Sequence, residues 1–214
     1  MSLSRYLLVA AVLSAAVLAS VPARSASYSF LCQTGCNELL QGSLENPATG
    51  LSMAVTDGVT GALFTFSNSY PAGSPSPSVG GIYFDQGLLS LFSGIGIDSQ
   101  AGASFGVGGA PPVLPGGDEV APPFSVSYFA TATGAPALGL DVLSDHVSIL
   151  ATFAGGATFG QVVSALNTGA LRVGLHVTPG GTYVNAIPEP GTWAMFLAGL
   201  LAVGVVARRR MRVG

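Results

Sequence analysis

The feature that most constrains this chain is a pair of charge-free apolar runs, one near each end. The first run spans residues 6–19 and follows a single basic residue, Arg5, whereas the second spans residues 193–207 and precedes an arginine cluster. Segments of this kind partition into lipid rather than water. The aqueous fold of the chain must therefore be built from the residues that lie between them.

The N-terminal run has the pattern of a secretion signal. A basic start, an apolar run of about 7–15 residues and a small-residue exit are typical of a signal peptide, and Pro22, Ala23, Ser25 and Ala26 follow this run. The run is shorter than the roughly 20 residues that a membrane-spanning helix needs. We predict a signal peptide over residues 1–26, with an uncleaved N-terminal anchor as the alternative.

The flanks of the C-terminal run predict its orientation in a membrane. Trp193 opens the run and suits the membrane interface, and basic residues stay on the cytoplasmic side. Those basic residues are Arg208, Arg209, Arg210 and Arg212. The prolines on either side of Glu189 keep the preceding segment out of the helix. We therefore predict a tail of residues 187–214, with an extended motif at 187–192, a transmembrane helix at 193–207 and an arginine-rich end at 208–212.

This tail resembles the PEP-CTERM sorting domain of Gram-negative bacteria, which joins a Pro-Glu-Pro motif, a short apolar helix and a terminal basic cluster in that order. The resemblance implies that Pro188, Glu189 and Pro190 are recognised by an exosortase, a membrane-embedded protease that supplies the catalytic residues. It also implies export, with transient anchoring in the inner membrane and the ectodomain in the periplasm before transfer to the cell surface or the extracellular space. A permanent C-terminal anchor is the alternative.

The charge of the middle segment excludes one class of partner. All seven basic residues of the chain are arginine, and residues 27–186 contain one of them, Arg172, against nine acids, which gives a net charge of −8. Phosphate backbones repel such a domain, so we exclude nucleic-acid binding. The length of this segment fits a single domain.

Period-two alternation predicts that the ectodomain, residues 27–186, is all-β. Apolar residues alternate at 64–66, 147–153 and 171–177, as in half-buried antiparallel strands. Further strands are predicted at residues 28–31, 51–55, 81–84, 88–92, 103–107, 124–128 and 182–185. The spacing favours an antiparallel β-sandwich, similar to a jelly roll. The middle also resembles β-sandwich ectodomains of unassigned function that precede this kind of tail.

One segment departs from the strand pattern and predicts a single short helix at residues 159–167. Thr158 and Gln161 have the spacing of a capping box, and Gly169 follows the last turn. Residues 110–118 contain three prolines and two glycines, and we expect them to form an exposed loop.

Cys32 and Cys36 are predicted to form a disulfide, because an even pair of cysteines in an exported chain favours oxidation. The pair does not have the Cys-x-x-Cys spacing of a redox site. A metal centre needs three or four suitably spaced ligands, and His146 and His176 are far from the cysteines in sequence. We therefore predict no metal site and no cofactor, and we expect both histidines to lie on the surface.

The remaining residues favour a non-catalytic protein. The sequence contains no Gly-x-Ser-x-Gly nucleophile elbow. Asp85, Asp98, Asp118 and Glu119 lie beside turns, where we expect a solvated acidic surface, with calcium binding as the alternative. We predict a structural or adhesive role in contact with exopolysaccharide. A carbohydrate-binding module is the first alternative, and a secreted hydrolase is the second.

Overall fold

The computed structural model of the protein describes residues 25–71, 77–108, 113–134, 138–141 and 145–187. These residues form ten strands, all paired antiparallel, and two short helices. In chain order the elements are β1 (Ser25–Thr34), α1 (Glu38–Leu44), β2 (Leu51–Asp57), β3 (Gly61–Asn68), β4 (Ser78–Asp85), β5 (Phe92–Ala101), β6 (Phe105–Val107), β7 (Tyr128–Ala132), β8 (His146–Phe153), α2 (Phe159–Thr168), β9 (Arg172–Thr178) and β10 (Gly181–Asn185). The all-β, antiparallel prediction is confirmed.

The strands are hydrogen-bonded in the order β5-β8-β3-β2-β1-β10-β9-β4-β7-β6. The long strand β1 belongs to both halves, because residues 25–29 pair with β2 and residues 30–34 pair with β10. We call the half from β5 to β2 sheet A and the half from β10 to β6 sheet B. The outer strands of the two sheets also meet, since the Tyr128 hydroxyl donates to the Phe92 carbonyl at 3.0 Å. The result is sandwich-like and close to a closed barrel.

The core lies between the two sheets and is centred on four phenylalanines. The ring of Phe64 on β3 lies edge-on to the rings of Phe84 on β4 and Phe92 on β5, with centroids 5.1 and 5.9 Å apart. Phe66 makes the same kind of contact with Phe84. Edge-to-face packing of this kind adds stability beyond the burial of area. These contacts join sheet A to sheet B.

Helix α2 begins where the sequence predicts and ends one residue later, at Thr168. The Thr158 hydroxyl accepts a hydrogen bond from the Gln161 backbone N–H, and the Gln161 side chain accepts one from the Thr158 N–H, which completes the capping box. Gly169 ends the helix in the left-handed conformation, with φ of +73°. The buried side of α2, formed by Phe159, Val162, Ala165 and Leu166, is part of the core, and the helix contacts β3.

Three details of the sequence prediction are wrong. The described residues contain a second helix, α1, which begins after the N-cap Asn37 and buries only Leu40 and Leu44. Residues 88–91 form a turn region before β5 rather than a strand, and residues 124–127 belong to a loop, because β7 begins at Tyr128. In the first segment only Leu91 is buried, and in the second Phe124 is buried while the Ser127 N–H donates to the Phe84 carbonyl of β4 at 2.7 Å.

Candidate functional site

The C-terminal tail leaves the domain at a defined position. The last described residue is Ile187, which is half exposed, and the N–H of the preceding Ala186 donates to the Ser29 carbonyl at 2.8 Å. Ile187 also packs against the end of α2, since a Cβ at Gly169 would lie 2.7 Å from its Cδ1 atom. We call this end of the domain, with the turn at 58–60 and residues 86–91, the tail end.

The opposite end of the domain, which we call the disulfide end, contains a disulfide bond. Cys32 and Cys36 form a disulfide between the end of β1 and the start of α1, with the two Cα atoms 5.9 Å apart. The Cys32 backbone N–H donates to the Glu45 carboxylate at 2.8 Å, just after α1. The link stabilises this corner and does not connect the two sheets.

The outer surface of sheet B is covered by residues 113–127, which we call the covering loop. Its side chains Leu114, Val120 and Phe124 are buried against Tyr83 and Val184 of the sheet. The fit at the centre is close, because a Cβ at position 174 would lie 2.7 Å from the Leu114 side chain. The central strands of sheet B, β4, β9 and β10, therefore have buried residues on both faces.

Arg172, the one basic residue of the middle segment, holds the covering loop in place. Its guanidinium pairs with the buried Asp85 carboxylate, donates to the Pro123 carbonyl at 2.7 Å and lies 5.1 Å from the centroid of the Phe124 ring. The Asp85 carboxylate also accepts from the Ser125 N–H at 3.1 Å. The expectation of a solvated Asp85 and of a fully exposed loop at 110–118 is therefore wrong, because Asp85 and Leu114 are both buried.

The outer surface of sheet A has a different character, because it is uncovered and its strands carry almost no charge there. The Ser52 and Ser67 hydroxyls are 2.9 Å apart across β2 and β3, and those of Thr65 and Ser148 are 2.9 Å apart across β3 and β8. By register and alternation, this hydroxyl face consists of Ser25, Ser27, Ser29, Ser52, Ala54, Thr56, Leu63, Thr65, Ser67, His146, Ser148, Leu150, Thr152, Gly94 and Gly96. Asp98 stands at its edge, on β5.

A groove of about 210 Å³ lies where the outer strands of the two sheets meet. Gly94 and Ile95 of β5 form one wall, and Tyr128 and Phe129 of β7 with Val107 of β6 form the other. The Phe129 ring is stacked on Tyr83 with centroids 6.5 Å apart, which fixes its orientation. A Cβ at Gly94 would meet nothing within 4 Å, so glycine keeps this wall open.

The identity of the tail rests on a comparison with known families. The model of the PEP-CTERM protein-sorting motif matches residues 186–210, which begin beside the last described residue of the domain. The chain carries a PEP-CTERM protein-sorting motif. This motif indicates an exported protein that an exosortase processes. No curated protein and no solved structure matches the chain.

The residues predicted to act in sorting lie outside the described part of the structure. They are Pro188, Glu189, Pro190, Trp193, Arg208, Arg209 and Arg210. Of the predicted signal peptide at residues 1–26, residues 1–24 lie outside it, whereas Ser25 and Ala26 are the first residues of β1. The predicted transmembrane helix at 193–207 also lies outside it. In the part of the chain that the structure describes, neither helix reaches the length and apolarity of a membrane span.

The carboxylates of the ectodomain do not converge on the groove. The Asp141 N–H donates to the Asp145 carboxylate at 3.2 Å near the disulfide end, where burial, followed by the interaction with Asp145, raises the pKa of Asp141. Among the described residues, no group of three or more His, Cys, Asp and Glu side chains is placed to hold a metal ion. His176 is half-buried on sheet B rather than on the open surface, and burial lowers its pKa.

Sequence reasoning missed three features of this site: the covering loop, the groove and the hydroxyl face. The sequence did contain a signal for the covering loop, because a single arginine, Arg172, in a segment of net charge −8 suggests a structural ion pair. The groove depends on which strands lie at the sheet edges, and the alternation pattern does not contain that information.

Proposed function

We propose that the protein is exported through the inner membrane, anchored briefly by its tail with the ectodomain in the periplasm, and released to the cell surface or extracellular matrix. There it has a structural or adhesive role and no catalytic role. The observation that carries this proposal is the sorting motif at residues 186–210, attached directly to the last strand of a β domain.

The hydroxyl face supplies a contact surface suited to exopolysaccharide. It is rich in serine and threonine, and its hydroxyl groups both donate and accept hydrogen bonds as sugar hydroxyls do. Five acids lie toward the disulfide end instead, namely Glu38, Glu45, Glu119, Asp141 and Asp145. Sheet A therefore offers its hydroxyl groups on a surface that lies away from those five acids.

Intact-mass analysis of the protein from its native host tests the sorting step. In a host with active exosortase, we expect a mature species that ends near residues 188–190 and lacks the arginine-rich end. In a matched host without exosortase, the tail should remain and the protein should stay with the membrane. Retention of residues 208–214 in the final product of the first host would show that the tail is a permanent anchor.

A charge substitution tests the role of the hydroxyl face. Thr56→Lys and Thr152→Lys place a cation on this face and should lower the fraction of processed protein retained in the extracellular matrix. Ser164→Lys, at an exposed position of α2, is the matched control and should leave retention unchanged. Equal retention of all three variants would contradict contact through sheet A.

The groove favours a second candidate function, a carbohydrate-binding module. A concave site with aromatic walls and an open glycine wall fits a small ligand, and the Phe129 ring is held in place by Tyr83. In this case a glycan array should give saturable binding to one glycan, and Val107→Arg should abolish it by filling the groove. Binding that is unaffected by Val107→Arg would exclude the groove.

A further inference from the structure

Four large apolar side chains are exposed at the end of the domain from which the tail leaves. Leu88, between β4 and β5, and Val59, in the turn between β2 and β3, are fully exposed, whereas Leu89 and Ile187 are 37% and 51% exposed. Single exposed aliphatic residues are common on protein surfaces. Four at one end of a small domain form a patch, and such patches mark protein or membrane contacts.

Leu88, Leu89 and Ile187 lie beside the turn at residues 169–170, which follows α2. A Cβ at Gly87, next to Leu88, would lie 3.5 Å from the Ala170 carbonyl oxygen, and Gly169 touches the Ile187 side chain. The turn at 58–60 lies at the same end, because the Phe153 N–H donates to the Thr60 carbonyl and the Ala154 N–H to the Leu91 carbonyl. The exposed side chains therefore border one surface, from which the chain continues into its tail.

The length of the connecting segment holds this surface close to the membrane. Six residue steps separate Ile187 from Trp193, where the apolar run begins. A fully extended chain advances at most about 3.6 Å per residue, so these steps span no more than about 22 Å. A domain anchored by this tail must keep its tail end within that distance of the apolar run.

The charge distribution favours the same orientation. Toward the disulfide end lie five acids, whereas the acids at the tail end are Asp57 and Asp85, of which Asp85 is neutralised by Arg172. Anionic lipid headgroups repel acidic surfaces. The tail end is thus the less acidic of the two ends, and it is the end that the tail draws toward the bilayer.

We propose that, while the tail is anchored, four apolar side chains at the tail end insert into the interfacial layer of the bilayer, namely Leu88, Leu89, Val59 and Ile187. This insertion orients the domain with its tail end toward the membrane. This inference rests on the proposed function, because it requires the tail to be membrane-bound before processing. The contact places the Pro-Glu-Pro segment at the membrane surface, where a membrane-embedded protease acts. It is lost once the tail is cleaved and the domain is released.

Quenching by brominated lipid tests this contact in the tail-bearing chain recovered from membranes of a host without exosortase. The chain has one tryptophan, Trp193, so Leu88→Trp in a Trp193→Phe background gives a single reporter. Leu39→Trp in the same background is the matched control, because Leu39 is 87% exposed but lies on α1 at the disulfide end. Val59→Trp provides a second reporter at the tail end.

The chains are placed in phosphatidylethanolamine–phosphatidylglycerol vesicles with or without dibrominated phosphatidylcholine. Because interfacial side chains lie about 5–10 Å deep, the brominated lipid should quench the tryptophan at 88 or 59 about twofold and leave that at 39 unquenched. Equal quenching at positions 88 and 39 would overturn the inference. A blue shift at 88 that does not respond to bromine would indicate a second copy of the chain and would also overturn it.

The unaltered chain separates this failure from failure of the proposed function. Trp193 in that chain should be quenched by the same lipid, since it begins the anchor. Quenching of Trp193 without quenching at position 88 would leave the sorting proposal intact and reject only the interfacial contact. No quenching of Trp193 would reject the membrane-bound stage, and both proposals with it.

Discussion

At the scale of single residues, two buried tyrosines are predicted to affect stability in opposite directions. The Tyr28 hydroxyl donates to the Asn167 side chain at 3.0 Å, whereas the Tyr183 hydroxyl is buried without a hydrogen-bond partner among the described residues. An unsatisfied buried polar group costs about 1–3 kcal/mol. We expect Tyr183→Phe to raise the free energy of unfolding by about 1 kcal/mol and Tyr28→Phe to lower it by a similar amount, as measured by chemical denaturation.

Stability at alkaline pH provides a second test of the buried Tyr183 hydroxyl. Burial, followed by the nearby Glu45 carboxylate, raises the pKa of Tyr183 to about 12 from its ordinary value of 10.0. The folded state then keeps a proton that the unfolded state loses, so stability should fall as pH rises from 10 toward 12. Tyr183→Phe should reduce this decline. A decline of the same size in both proteins, or a destabilised Tyr183→Phe variant, would contradict the assignment.

The ion pair between Arg172 and Asp85 gives a second prediction at this scale. Arg172→Met leaves the Asp85 carboxylate buried without its cation and releases the covering loop, which should cost about 3–5 kcal/mol. Asp85→Asn removes the uncompensated charge, so the double variant should be more stable than Arg172→Met alone. Denaturant unfolding of the single and double variants measures this coupling, and additive losses would show that the pair is not coupled.

At the scale of elements, the capping box of α2 makes a local contribution that can be measured. Thr158→Ala removes the hydroxyl that accepts from the Gln161 N–H and should lower the free energy of unfolding by about 1 kcal/mol. Thr158→Ser keeps the acceptor and is the matched control. If the alanine and serine variants unfold at the same denaturant concentration, the cap does not contribute.

The sequence predicted α2 well because its start, stop and apolar spacing are all local. The helix α1 has no comparable pattern, since only Leu40 and Leu44 of its seven residues are buried. The strand β5 was missed because Gly94 and Gly96 replace the outward side chains that alternation requires. Its pairing with β8 supplies the stability that its own residues do not indicate.

At the scale of the whole molecule, the arrangement of strands depends on contacts between residues distant in sequence. The middle strand β1 joins the two ends of the ectodomain by pairing with both β2 and β10. The pattern at 171–177 correctly placed Leu171, Val173, Leu175 and Val177 in the core, but it gave no sign that the opposite face is covered too. That cover comes from a loop about fifty residues earlier, which alternation within one strand cannot reveal.

Charge is unevenly distributed along the chain, because the middle segment is acidic and six of the seven arginines lie in the terminal segments. Basic residues beside a membrane helix keep that side in the cytoplasm. Replacing Arg208, Arg209, Arg210 and Arg212 by glutamine should therefore let the apolar run pass through the membrane. In a host without exosortase, we expect more chain with its tail intact in the periplasmic and extracellular fractions, as measured by immunoblotting and intact mass.

The matched control replaces the same four residues by lysine. Lysine preserves the positive charge but not the guanidinium group, so this variant should remain membrane-anchored if charge alone stops the transfer. Anchoring that survives the glutamine changes would show that the apolar run is held by something other than its basic flank. Loss of anchoring in both variants would instead indicate that the guanidinium groups themselves are needed, because lysine keeps the charge and the long aliphatic stem of arginine but not its guanidinium.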